Sequence, residues 1–160
     1  DLIIAKARSE TDRDVRRQAI HTLGAMSGGS ELKALFDSST DVEEQTDLVR
    51  ALGIAGNVDA LGAIAASSKS EGVRIAAIES LGIAGDEGGS AALVKLYPNA
   101  KTPELREAVL KGLLIAGDSK SMITLYRGAT DAQEKKALLR MITISGDDAA
   151  LDLIESELNK

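Results

Sequence analysis

Apolar and polar positions follow one another along the chain with the spacing of short amphipathic helices. Residues 71–84 place Val73 and Ile78, among other apolar residues, on one side at the i, i+3, i+4 spacing of an α-helix. A shorter amphipathic segment precedes it at residues 57–66, and a polar stretch at 67–70 separates the two. The pattern predicts a helical hairpin made of a short A helix followed by a longer B helix.

The B-helix phrase returns five times, with a nearly constant interval. Its anchor residues are separated by 29, 29, 32 and 29 positions. They are Leu23, Leu52, Leu81, Leu113 and Ile142. A fixed period in this range is typical of arrays in which each unit buries its apolar face only by stacking on its neighbours. The sequence therefore predicts an all-α fold, a right-handed α-solenoid (α-α superhelix) of about five helical hairpins plus a terminal helix.

The period divides the chain into units of one single domain, residues 1–160. The predicted units are 1–27, 28–56, 57–85, 86–117 and 118–146, followed by a partial unit at 147–160. The chain starts at Asp1 within a predicted helix and finishes on an A helix without a B partner. We therefore expect it to be a fragment of a longer protein in which the array continues.

Residues typical of helix ends recur at matching places in the units. Threonines followed by an acidic residue or a glutamine three positions later predict capped B-helix starts at Thr11, Thr40 and Thr130, and Thr102 with Pro103 predicts a fourth. Glycines predict left-handed B-helix ends at Gly28, Gly56, Gly85, Gly117 and Gly146. Side chains that cap the next A helix are predicted at Asn57, Asp86, Asp118 and Asp147.

The phrase Val73-Arg74-x-Ala76-Ala77-Ile78-x-x-Leu81-Gly82, with its counterpart at residues 14–24, resembles HEAT repeats. The nearest resemblance is to the short bacterial class of phycobilin-lyase-type HEAT-like repeats, and it extends over residues 11–158. The resemblance implies an armadillo-like helical array. It implies less about activity, because the family includes chromophore lyases, the tail of a tRNA-modifying reductase, hydroxylases and many scaffolds.

Little in the sequence indicates catalysis. Cysteine is absent, which excludes disulfides and thiolate zinc sites but leaves both a cytoplasmic and a periplasmic location open. His21 is the single histidine, and one histidine without a second histidine or a cysteine makes a poor metal site. Carboxylates gather at predicted helix starts, where the helix dipole explains them. We therefore predict a protein that is not an enzyme and that needs no metal or cofactor.

Basic residues collect on one face of the predicted B helices. With Val15, Glu44, Val73, Leu105 and Glu134 as position one, positions two, three and seven hold nine of the 19 lysines and arginines. Positions three and seven lie one helical turn apart and share a face, which lines the concave side of a HEAT-like array. The predicted partner-binding residues are Arg17, Arg50, Lys111, Lys136 and Arg140.

Two interpretations of these columns stay open. At position two we favour pairing with acidic residues at neighbouring helix starts, such as Asp14, Glu43 and Glu71, which would form an intramolecular ladder. Positions three and seven form either a plain solvated face or a binding surface. The predicted function is a scaffold module that holds another protein or an acidic peptide on this face. The alternatives are a tetrapyrrole-handling domain related to the chromophore lyases, and binding to a nucleic acid backbone, which the net charge of −6 opposes.

Overall fold

The computed structural model describes residues 2–85 and 87–159, with only the backbone of Glu87. In this part of the chain every regular element is helical, as the sequence predicts. The A helices are α1 (Leu2–Ser9), α3 (Gly29–Ser38), α5 (Val58–Ser67), α7 (Glu87–Leu96), α9 (Ser119–Gly128) and α11 (Asp148–Leu158). The B helices are α2 (Arg13–Ala25), α4 (Val42–Ile54), α6 (Glu71–Ala84), α8 (Pro103–Ile115) and α10 (Ala132–Ser145).

The core lies between the layer of A helices and the layer of B helices. The predicted anchors of the first four B helices are at most 4% exposed, and the anchor of the fifth, Ile142, is fully buried. Each B helix packs against the A helix of its own hairpin, and from α4 onwards each also packs against the B helix before it. The predicted all-α solenoid of stacked hairpins with a terminal helix is therefore confirmed.

Left-handed residues end the B helices, with one difference from the prediction. Gly56, Gly85, Gly117 and Gly146 have φ between 62° and 69°, as predicted. In the first unit Gly28 has φ −75°, and Ser27 takes the left-handed conformation with φ 58°. The reason is register, because Ser27 follows the anchor Leu23 by four residues, as Gly56 follows Leu52. The prediction of Gly28 as a left-handed cap is wrong.

The predicted B-helix starts are shifted by one residue in three units. Asp12, Asp41 and Asp131 are the N-caps, and their carboxylates accept hydrogen bonds from backbone amides of the first turn. Thr11, Thr40 and Thr130 lie just outside, so the prediction of these threonines as caps is wrong. A carboxylate offers two acceptor oxygens and a negative charge to the positive end of the helix dipole, which favours aspartate over the adjacent threonine.

The remaining cap predictions hold where they can be compared. Thr102 caps α8 through the amide of Leu105, and Pro103 is its first residue. Asn57, Asp118 and Asp147 cap α5, α9 and α11, each through the amide three residues later. The predicted cap at Asp86 lies outside the described residues.

The first four B helices approach one another closely through pairs of small residues. Within each pair, a Cβ built on the glycine at position ten would lie 2.6–2.9 Å from an atom of the residue at position eight of the next B helix. The pairs are Gly24 with Ala51, Gly53 with Ser80, and Gly82 with Gly112. Any side chain at these glycines would have to push the neighbouring helix away, so glycine sets the close packing of α2, α4, α6 and α8.

Candidate functional site on the B-helix face

All five predicted partner-binding residues lie on B helices with exposed side chains. Arg17 is on α2, Arg50 on α4, Lys111 on α8, and Lys136 with Arg140 on α10. We call the solvent-facing side that carries positions three, seven and eleven of these helices the B-helix face. Position seven is exposed in all five B helices, so it forms an accessible column along this face.

Three of these cations are paired within their own helix. Arg17 binds Asp14 at 2.8 Å, and Arg50 binds Asp47 at 3.4 Å. The third pair, Lys111 with Glu107 at 2.8 Å, is the main reason why the pKa of that glutamate lies below its ordinary value. Exposed pairs of this kind are worth only about 0–1 kcal/mol, so a carboxylate of a partner can replace the internal one at small cost.

The two cations of α10 differ from the other three. Among the described residues, neither Lys136 nor Arg140 has a carboxylate within 4.0 Å. Lys136 occupies position three and Arg140 position seven, so they lie one turn apart on the same side of α10. The charge of Arg140 helps to lower the pKa of Glu107 on α8, but neither cation of α10 is held in an ion pair among the described residues.

Position two is used for intramolecular contacts. Arg16 on α2 binds Glu44 on α4 at 3.2 Å, which links two units, and Arg74 binds Glu71 at 3.3 Å within α6. Both arginine side chains are only 28% exposed. Half-buried ion pairs of this kind restrict the side chains to one arrangement. Arg16 thus pairs with an acid at the start of a neighbouring B helix, Glu44 rather than Glu43, whereas Arg74 pairs with an acid at the start of its own helix.

Two further position-two residues bind the loop between the A and B helices instead. Gln45 donates from Nε2 to the carbonyl of Ser39 at 2.7 Å, and Arg106 donates from Nε to the carbonyl of Ala100 at 2.9 Å. In both cases the acceptor lies six residues earlier, so the same contact recurs in different units. Gln45 and Arg106 therefore tie the A–B loops of their own two units to the following B helix, Arg106 through Nε alone.

The three aromatic side chains lie in the packed layers. Tyr97 is 6% exposed, and Phe36 and Tyr126 are partly buried against the core. The ammonium of Lys135 lies 5.8 Å from the centre of the Tyr126 ring, at the distance of a cation–π contact. None of them occupies position three, seven or eleven of a B helix, so the B-helix face offers no aromatic ring for stacking against a base.

A cleft of about 400 Å³ opens on the B-helix face between α8 and α10. Leu110 and Met141 contribute apolar lining. The charged lining is mixed, with the bases Lys101, Arg106 and Arg140 and the acids Glu107, Asp131 and Glu134. Tyr97 also lines the cleft, and burial raises its pKa to about 12, with a further contribution from the charge of Glu134 and the hydrogen bond to it. The cleft therefore combines apolar side chains with charged groups of both signs and a phenol, which suits a ligand or partner side chain of mixed character.

The cleft lies at the step of the array where the small residues between neighbouring B helices give way to large ones. By sequence register, the fourth pair of positions ten and eight is Leu114 and Met141, where the earlier steps have glycine with glycine, serine or alanine. Accordingly, α8 and α10 pack less closely than the preceding pairs of B helices. Sequence analysis missed this site, although the alignment of position ten with Gly24, Gly53 and Gly82 carries the signal.

Neither metal chemistry nor a histidine-based site appears in the described part of the chain. His21 is exposed at position seven of α2, and no group of three or more histidine, cysteine, aspartate or glutamate residues is arranged to hold a metal ion there. Of the described helices, none is both long and apolar enough to pass through a bilayer. What the B-helix face offers is binding by charge, apolar contact and shape.

Comparison with known proteins agrees with the repeat architecture. No functionally curated protein matches the chain. Among solved structures, the chain is similar to one from the complex of CpcE and CpcF of phycocyanin lyase from Nostoc sp. PCC7120, with a TM-score of 0.58 and 23% identity. The match covers 99% of this chain and 70% of the other, and it supports the shared helical fold. The family model for HEAT repeats matches residues 29–114, more than half of the chain, and the chain therefore belongs to the HEAT repeat proteins.

Proposed function

We propose that the chain is a non-catalytic scaffold module that holds a protein or an acidic peptide on its B-helix face. The observation that carries the proposal is the pair Lys136 and Arg140, two exposed cations on one side of α10 that form no ion pair within 4.0 Å among the described residues. Arg17, Arg50 and Lys111 extend the cationic surface along the face through exposed pairs that a partner can replace.

The overall charge favours a protein partner over a nucleic acid. The chain carries 25 acidic against 19 basic residues, so its long-range field repels a polyanion. A short acidic segment meets only the local cations of the B-helix face. Helical repeat arrays use their extended surfaces for such partners, which agrees with the family to which the chain belongs.

The experiment compares capture of proteins by the parent chain and by two charge-reversal variants. Arg50→Glu/Arg140→Glu changes the B-helix face, whereas Lys95→Glu/Arg127→Glu makes the same change of net charge on exposed residues of A helices α7 and α9. We expect the first variant to lose specific partners that the second retains, as measured by quantitative mass spectrometry of captured proteins. Identical partner sets for all three proteins would contradict the proposal.

A second candidate function is the handling of a tetrapyrrole in the cleft between α8 and α10. Two observations favour it, the cleft of about 400 Å³ with the guanidinium groups of Arg106 and Arg140, and the fold shared with a chain of the phycocyanin lyase complex. The arginines would bind the propionate carboxylates of the chromophore, and Leu110 and Met141 would contact its rings.

Spectroscopy distinguishes this candidate from the first. A bilin held in the cleft changes its visible absorbance on mixing with the protein, and Arg140→Glu is expected to reduce that change while Arg127→Glu leaves it intact. An unchanged spectrum would exclude the cleft as a bilin site. Nucleic acid binding, the third possibility, predicts strongly salt-dependent retention on heparin. Elution at low salt would exclude it.

A further inference from the structure

One column of the B-helix face is apolar. Position eleven, one turn after position seven, holds an isoleucine in each of the last four B helices. The residues are Ile54, Ile83, Ile115 and Ile144, with exposed fractions of 46%, 61%, 56% and 56%. We call this column the isoleucine stripe. Each isoleucine therefore leaves about half of its surface in water at the same place in successive units.

The surroundings of the stripe leave it open to a partner. On one side lies position seven, with Arg50, Glu79, Lys111 and Arg140, all of them exposed. On the other side each B helix ends two residues later at a left-handed glycine, which carries no side chain to cover the isoleucine. Added Cβ atoms at Gly56 and Gly117 would meet nothing within 4 Å, so the edge beyond the stripe is free of bulk.

Local structure does not explain isoleucine at these positions. β-Branched residues are weaker helix formers than alanine, leucine or lysine, so propensity alone does not select isoleucine at an exposed site near a helix end. The exposed halves form a row of apolar surface along the array, and such surfaces are typical of interaction sites.

We propose that the isoleucine stripe is the apolar half of a docking surface for an amphipathic helix of another protein, whose acidic side chains face the cations of position seven. The inference rests on the proposed scaffold function and specifies the partner of that same face. Charge complementarity supports an acidic flank, because three of the four neighbouring position-seven residues, Arg50, Lys111 and Arg140, are basic.

The spacing of the stripe fits a helix. Packed helices lie about 8–10 Å apart, so consecutive isoleucines recur at about that interval along the array. Two turns of an α-helix rise about 10.8 Å. A helix inclined to the stripe therefore brings one apolar side chain, at every seventh position, beside each isoleucine. The flank of that helix that faces position seven needs acids beside Arg50, Lys111 and Arg140.

The test uses a synthetic helical peptide as its probe. The peptide has leucine at every seventh position over four heptads and glutamates along one flank of the leucine row, and its control has lysine in place of each glutamate. Fluorescence anisotropy measures binding to the parent chain, to Ile83→Ser/Ile115→Ser, and to Val42→Ser/Leu151→Ser. The last variant removes two apolar side chains, each 52% exposed, that lie outside the stripe.

We expect the glutamate peptide to bind the parent at least tenfold more tightly than the lysine peptide. The Ile83→Ser/Ile115→Ser variant should lose at least tenfold in affinity, and Val42→Ser/Leu151→Ser should match the parent. Thermal unfolding of both variants, followed by circular dichroism, separates a docking role from a stacking role. A variant of the stripe that unfolds earlier but binds the peptide like the parent would overturn the proposal.

Other outcomes separate this inference from the scaffold function itself. Peptide binding that is lost in Arg50→Glu/Arg140→Glu but kept in the isoleucine variant would contradict the docking role of the isoleucine stripe. The B-helix face would then bind the peptide by charge alone. Absence of peptide binding would also contradict that docking role, whereas the scaffold function would still stand on the captured partners. Self-association of the parent in sedimentation experiments, abolished by the isoleucine substitutions, would assign the stripe to a second copy of the chain and overturn the partner named here.

Discussion

The backbones of Gly82 on α6 and Gly112 on α8 are in direct contact. A Cβ on Gly82 would lie 2.6 Å from the carbonyl oxygen of Gly112 and 2.8 Å from its Cα. Real Cβ atoms do not approach backbone atoms so closely, so the spacing of these two units depends on the absence of one side chain. The same relationship at the two earlier steps makes the first four units a tightly stacked block.

Substitution of Gly82 is therefore expected to destabilise the protein. In Gly82→Ala the gain in helix propensity, up to about 1 kcal/mol, opposes a steric clash that forces α6 and α8 apart. Overpacking of this kind costs about 1–3 kcal/mol, and backbone atoms at 2.6 Å place Gly82 at the upper end. We expect a lower free energy of unfolding in denaturant titrations followed by circular dichroism.

Gly62 supplies the matched control for that substitution. It lies within α5, and a Cβ there would meet no atom within 4 Å. Gly62→Ala is expected to raise the free energy of unfolding by about 0.5–1 kcal/mol, because alanine restricts the unfolded chain and favours the helix. If both substitutions stabilised the protein, the close approach of α6 and α8 would be wrong.

Much of the fold could be predicted from the sequence because the period repeats local rules. The anchor leucines are buried where the period places them, and α6 spans residues 71–84 as predicted. The packing between units was harder to predict. That Gly82 meets Gly112 depends on which positions of two neighbouring helices face each other, and the period alone does not state this.

The candidate site was likewise predictable in its local features but not in its packing between units. The exposure of Arg17, Arg50, Lys111, Lys136 and Arg140 could be predicted from helical register. The cleft between α8 and α10 could not be predicted, because it depends on how side chains of two neighbouring helices, such as Leu110 and Met141, lie across an interface. The capping motif also did not predict that Asp12, rather than Thr11, is the N-cap of α2. Two good capping residues are adjacent there, and the backbone conformation decides between them.

The corrected N-cap of α2 can be tested by two neighbouring substitutions. Asp12 accepts hydrogen bonds from the amides of Asp14 at 2.9 Å and Val15 at 3.1 Å. Asp12→Ala leaves both amides without this acceptor and is expected to cost about 1 kcal/mol in the free energy of unfolding. Thr11→Ala should change it by less than about 0.5 kcal/mol, as a surface substitution does. The reverse order would restore Thr11 as the cap.

Ser27 is the described non-glycine residue with a left-handed backbone, and glycine is expected to suit the position better. Its amide donates to the carbonyl of Gly24 at 3.0 Å, as the amide of Gly56 donates to that of Gly53 at 3.1 Å. A left-handed conformation costs an L-residue about 1–2 kcal/mol, and glycine removes this cost. The greater freedom of glycine in the unfolded chain offsets part of the gain in stability. Ser27→Gly should therefore stabilise the protein by about 0.5–1 kcal/mol.

The reciprocal substitution tests the same explanation in the opposite direction. Gly56 has φ 67° and no atom within 4 Å of an added Cβ, so Gly56→Ser introduces backbone strain without a clash. We expect it to lower the thermal unfolding midpoint while Ser27→Gly raises it. Shifts of equal sign in the two variants would mean that the left-handed backbone is not what distinguishes these helix ends.

Tyr97 provides a spectroscopic test of the cleft between α8 and α10. Burial is the main cause that raises its pKa to about 12, followed by the charge of Glu134 and the hydrogen bond to it. The chain contains two tyrosines and no tryptophan, so a Tyr126→Phe background leaves Tyr97 as the single phenol. Titration of its phenolate absorbance should show the raised pKa, and Glu134→Gln should lower it only in part, because burial remains.

The raised pKa of Tyr97 also predicts how stability changes at high pH. In the unfolded chain the phenol loses its proton near pH 10.0, whereas in the fold it keeps the proton up to about 12. The stability that the protonated Tyr97 phenol contributes is therefore complete below pH 10 and is lost as the pH rises towards 12. The reason is that the phenol of the unfolded chain loses its proton at the lower pH. By pH 11 the loss amounts to about 1 kcal/mol. Tyr97→Phe lacks this proton, so its free energy of unfolding should fall less than that of the parent between pH 9 and about 11. Parallel pH profiles for the two proteins, measured by urea titration, would show that the Tyr97 hydroxyl is as solvated in the fold as in the unfolded chain.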